Sequence, residues 1–148
     1  QKLRIESIKM LGRHDVNILS MFQLIQEIPH SYFDDGAIRF DMIYAALLKK
    51  LFATLSLGEY QHARIVADAR KHKGGQLGEK KFRQEIEKFL SDQFPSTHCV
   101  FKLTPSYTDT LLELADFISN TFYREYQRDS EHVFRKLRFR LVQIKNPL

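Results

Sequence analysis

The chain has 148 residues, 43% of them hydrophobic and 28% charged, which fits one globular domain and excludes a disordered tail. Its single cysteine, Cys99, excludes an internal disulfide and suits a reducing compartment, so the expectation is a cytoplasmic protein. A net charge of +5 and an isoelectric point of about 9.4 fit either a moderately basic globular protein or a surface for a polyanion, because clustered Lys and Arg release counterions from a phosphate backbone.

No apolar run approaches the roughly 20 residues that a membrane span needs, so no membrane partner is expected. Residues 1–4, Gln-Lys-Leu-Arg, do not open a signal peptide. A chain that starts on Gln reads as the part of a longer protein, and the domain expected over 1–148 as one shortened at its N-terminus.

Taken in chain order, residues 2–10 carry Leu3, Ile5 and Ile8 in imperfect alternation and predict a weak strand. From His14 to Ile28, Ile18, Met21, Phe22 and Ile25 recur at helical spacing and predict a helix stopped by Pro29. Asp34-Asp35-Gly36 predicts a turn. A long helix is expected next, with Phe40, Ile43, Leu47, Leu51 and Leu55 along one side and Gly58 as its end.

His62–Asp68 (HARIVAD) is short and apolar in its centre and predicts a buried strand. Residues 70–78 read as a basic, glycine-containing loop. Glu79 to Phe94 is an amphipathic helix through Phe82, Ile86, Phe89 and Leu90, and Thr97 to Leu103 is another strand. Thr104-Pro105-Ser106 leads into a helix over 107–126 whose inner stripe is Leu111, Leu114, Ala115, Ile118 and Phe122. A short helix near 130–137 and a strand-like end from Phe139 to Ile144 follow. Strands alternating with helices over short connections predict an α/β layered fold, a mixed sheet with packed helices, in a single domain.

Two acids stand out. Asp68 falls at the carboxyl end of a predicted strand, where open α/β sheets keep their ligand sites, and a carboxylate there suits a divalent metal. It could equally begin a turn or pair with Arg70. Asp116 lies within Leu114-Ala115-Asp116-Phe117, two turns into an apolar helix, where Asp is a poor interior residue; it is expected to face inward. Asp109, Glu113 and Asp116 fall on one helical face, and Asp109 also suits a capping arrangement begun by Ser106.

Arg70, Lys71 and Lys73 flank Gly74-Gly75 just after Asp68, and Arg124 and Arg128 begin a basic C-terminal quarter. Such charge would position phosphates without reading sequence, or would form a solvated surface. Gly74-Gly75 lacks the spacing of a phosphate loop, and no serine sits in a nucleophile-elbow motif. His72, close to Asp68 in sequence, reads either as a general base or metal ligand or as a solvated loop residue, Cys99 reads as a small core residue, and a Cys/His nucleophile pair has no support beyond composition.

The segment Leu112–Ile118, followed by Tyr123-Arg124 and Gln127-Arg128-Asp129, resembles the C-terminal signature of domain-of-unknown-function family 3800, which is similar to ribonuclease H in fold. Ile65-Val66-Ala67-Asp68-Ala69-Arg70, Ser106 and Leu114-Ala115-Asp116 match further elements of its pattern, over roughly residues 38–137. The family opens on a strand ending in Asp-Glu-Ser, to which nothing in residues 1–20 corresponds, and it commonly has Gln where this chain has Glu113.

The resemblance implies a ribonuclease-H-like domain in which carboxylates hold Mg²⁺ or Mn²⁺ for hydrolysis of a DNA or RNA phosphodiester. Asp68 and Asp116 would be catalytic and metal-ligating, Glu113 a further metal ligand, and Arg70, Lys71, Lys73, Arg124 and Arg128 would bind nucleic acid. The alternative is a catalytically incomplete module that binds nucleic acid or a protein partner without cutting.

Overall fold

A computed structural model describes residues 17–69, 74–127 and 141–148. Their order is β1 (Ile18–Phe22), β2 (Phe33–Asp34), β3 (Ala37–Ile38), α1 (Phe40–Thr54), β4 (His62–Asp68), α2 (Gly75–Gln93), β5 (His98–Thr104), α3 (Thr110–Gln127) and β6 (Leu141–Lys145), with single 3-10 turns between several of them. The fold class is α/β, as the alternation of strands and helices predicts. The strands do not join in one mixed sheet: among the described residues they form three two-stranded ladders, β1–β6 and β4–β5 parallel and β2–β3 antiparallel.

The core lies where α1 and α2 meet the β4–β5 ladder. Phe82, Ile86 and Leu90 stand at i, i+4 and i+8 of α2 and form one buried row. They pack with Ala45 and Phe52 of α1, Ala67 of β4 and Phe101 of β5. Helix α2 is the crossover that lets two parallel strands become neighbours, since a tight hairpin cannot join them. Each residue of β4 pairs in step with one of β5, from His62 opposite His98 to Asp68 opposite Thr104. Thr97, buried just before β5, donates its hydroxyl to the carbonyls of Leu57 (3.0 Å) and Tyr60 (2.7 Å), which fastens the turn after α1 to the start of that strand.

Several boundaries depart from the sequence reading. The helix expected from His14 to Ile28 is instead β1 and a 3-10 turn at Ile25–Glu27. Ile18, Met21, Phe22 and Ile25 fit helical spacing, but Ile18–Phe22 is a short apolar run that periodicity alone cannot assign, and its pairing with β6 decides it. Helix α2 begins at Gly75, which shortens the expected loop, and Gly74 (φ 91°) and Gly75 (φ 61°) take up the left-handed backbone at its start. Asp35 (φ 49°) and Gly36 (φ 77°) make the predicted turn; two successive positive φ values are what a two-residue hairpin between β2 and β3 requires. The strand expected in residues 2–10 and the helix near 130–137 lie outside the described residues.

The two ends of the described chain are tied together. Beyond the β1–β6 ladder, Asn146 N–H donates to the Phe22 carbonyl (2.9 Å), Leu24 N–H donates to Asn146 Oδ1 (2.9 Å) and Leu148 N–H donates to Gln23 Oε1 (3.2 Å).

Candidate functional site

Asp68 is the last residue of β4 and partly buried. The ladder holds its backbone on one side, where Ala69 N–H donates to the Thr104 carbonyl at 2.9 Å. On another, the Tyr44 hydroxyl of α1 reaches the Asp68 carbonyl at 3.4 Å, while the Tyr44 ring stacks on Phe82 of α2 with centroids 5.2 Å apart. Thus three elements fix the point at which β4 delivers its carboxylate, at the carboxyl end of a parallel pair as expected.

Helix α3 starts from that same end of the ladder, after β5 and a 3-10 turn at Ser106–Thr108, and it packs against β4. Its N-cap is Asp109: Glu113 N–H donates to the Asp109 carbonyl (2.9 Å) and Leu112 N–H to Asp109 Oδ1 (3.0 Å). Asp109 is therefore a structural acid, and its side chain is spent on the helix end.

Asp116 does not face inward. It is exposed, and its Oδ2 accepts from Asn120 Nδ2 at 3.4 Å. The reason is helical geometry: Leu114 and Ile118, two residues either side, are each rotated by about 200° from Asp116, so turning those apolar residues inward turns the acid out. Asp116 lines a cleft of about 380 Å³ with Ser106, Tyr107, Glu113, Phe117, Asn120 and Arg124. The cleft thus brings together Glu113, Asp116 and Arg124, three of the sequence-predicted residues. Asp68 is not among its lining residues. Arg70, Lys71, Lys73 and Arg128 lie outside the described residues.

Tyr107 and Asn120 were not singled out from the sequence. Asn120 was legible in principle, because positions 113, 116, 117, 120 and 124 repeat at three and four residues along one helical face. Tyr107, 78% exposed, has no such signal, since it belongs to the turn before the helix.

The donor set was tested for a divalent metal. Among the described residues, no three His, Cys, Asp or Glu side chains come together in a group that could hold an ion. Asp68, Glu113 and Asp116 therefore do not make the expected three-carboxylate cage. Chemically the cleft offers two carboxylates, a guanidinium, an amide, two hydroxyls and two aromatic rings, a set that can bind a polar, partly charged ligand. Among the described residues, no helix is long and apolar enough to cross a membrane. No protein-family model matches the chain, and no curated protein or solved structure matches it either.

Proposed function

We propose that this chain is a ribonuclease-H-like module that binds the backbone of nucleic acid at the carboxyl end of the β4–β5 ladder without cutting it. The observation that carries the reading is that Arg124 shares a cleft on α3 with Ser106 and Tyr107, which directly follow β5 at the end of the ladder where β4 finishes in Asp68. Crevices at the carboxyl ends of parallel strands are the usual ligand sites of α/β folds. Two further features support it. The first turn of α2 follows β4 at this same end, and amides at a helix N-terminus attract phosphate. The net charge of +5 and the basic run Arg70, Lys71 and Lys73 favour a polyanion. The cleft itself offers a guanidinium and polar groups for a ligand, and the reading asks for binding alone.

Anisotropy titrations of labelled single- and double-stranded DNA and RNA, across a salt series, test the proposal. Binding is expected to weaken steeply with salt, to ignore EDTA and Asp68→Asn, and to fall with Arg124→Glu. Affinity that is flat across the salt series would sink the reading. A second reading, a nuclease using Mg²⁺ or Mn²⁺, rests on the position of Asp68. Cleavage that needs added metal and is lost in both Asp68→Asn and Asp116→Asn would establish it instead.

A further inference from the structure

On a strand, side chains alternate between two faces, so a groove over one face touches every second residue, whereas a groove along an edge touches consecutive ones. Two grooves of this second kind lie against α1. One, of about 520 Å³, is bordered by every residue from Asn17 to Met21; the other, of about 460 Å³, by every residue from His62 to Ala67. These are edges of β1 and β4 that carry no partner strand among the described residues, since β1 pairs with β6 and β4 with β5. Leu48 and Leu51 of α1 line both grooves, so the two run together over one apolar floor.

Such a trough asks for a particular kind of occupant. A two-stranded ladder is marginal alone, and an open edge presents a row of N–H and C=O groups that an apolar small molecule would leave unpaired. An extended polypeptide satisfies both the edge and the floor. Its charge is set by the walls: among the lining residues of both grooves only Arg64 carries a full charge, His62 can add another, and there is no carboxylate. Of the longer described strands, ILSMF is uncharged and HARIVAD, HCVFKLT and LVQIK are basic or mixed, and the chain is net positive, so a second copy is a poor complement.

We propose that the trough is a strand-addition site whose occupant is an extended segment of a separate polypeptide, alternating apolar and acidic residues. It pairs by its backbone with the free edge of β4, lays its apolar side chains on Leu48 and Leu51, and sets a carboxylate beside Arg64.

The probe is a fluorescein-labelled synthetic peptide, Val-Glu-Val-Glu-Val-Glu-Val, added to the 148-residue chain and followed by anisotropy and by hydrogen exchange at the β4 amides. Control peptides carry Lys in place of Glu, or Pro in place of the third and fifth residues, both Val, which removes backbone pairing. The Val-Glu peptide is expected to bind and to slow exchange between Ala63 and Ala67, with both controls weaker. Arg64 is exposed, so Arg64→Glu keeps the fold, which circular dichroism verifies; it is expected to weaken the Val-Glu peptide roughly fivefold and to favour the Val-Lys one. Equal binding of all three peptides, or binding without β4 protection, overturns the proposal. Protection without peptide at the β4 amides that point away from β5 overturns it too: protection that grows with protein concentration would assign the trough to a second copy, and protection independent of concentration to this chain itself.

Discussion

Helices α2 and α3 look alike in sequence, both strongly amphipathic, yet they end in different environments. In α2 the stripe Phe82, Ile86 and Leu90 is sealed, and Ile86 is 0% exposed. In α3 the stripe Leu111, Leu114, Ala115, Ile118 and Phe122 lines the open trough, Leu111 is 77% exposed, and Thr121 is the buried residue among those described. Amphipathicity thus records a demand for cover, and tertiary packing decides whether the demand is met. In α2 it is met within the described residues; in α3 it is met in part.

The contrast can be broken most directly by truncation. Ile86→Ala is expected to cost about 2–5 kcal/mol in urea unfolding, because it empties a site with no room to collapse, while Leu114→Ala costs roughly 1 kcal/mol or less. Equal losses would show that the two helices are packed alike after all. Thr97→Val comes next. It removes a hydroxyl that serves two carbonyls and is expected to cost about 1–3 kcal/mol by the same measurement. Asp109→Ala, which uncaps α3, is expected to cost about 0.5–2 kcal/mol, with Asp109→Asn retaining most of the stability.

Cys99 sharpens the comparison from the packed side. Burial pushes its thiol up from the ordinary value. Since the folded form holds its proton longer than the unfolded chain, the associated stability is present below the unfolded pKa and is lost as pH rises through the folded one. Alkylation rates followed against pH should therefore give a higher midpoint for the native protein than in urea, and coincident midpoints would count against a desolvated thiol. The smallest effect belongs to Asp116→Asn. An exposed acid that accepts a long bond of 3.4 Å from Asn120 is expected, when neutralised, to change stability by less than about 0.5 kcal/mol, even if it changes ligand binding.

How far these features could be read beforehand varied with how local they are. HARIVAD announced β4 to the residue, because an apolar centre between polar ends suits a strand buried within a layered fold. The Asp-Gly turn was equally local. Ile18–Phe22 was misread because helix and strand spacing coincide over so few residues, and its partner lies at the far end of the sequence. Asp116 lies on the expected helix but on its outer side: an acid in an apolar run stands out in the sequence, whereas the side it takes follows from its rotation of about 200° from Leu114. The edges of β1 and β4 that carry no partner strand among the described residues have no sequence signature, since which edge a backbone leaves open is settled only when the ladders form.

The pairing of β1 with β6 has a consequence in time. The β4–α2–β5 unit closes over a short stretch of neighbouring chain, but Ile18 meets Leu141 from the far end of the sequence. Loop-closure entropy makes such a contact late, so the clasp made by Asn146 and Gln23 belongs to the final stage of folding. A late contact acts mainly as a brake on opening: weakening it hastens unfolding and leaves the folding rate nearly as it was. The two ends of the described chain thereby set how long the structure, once made, stays made.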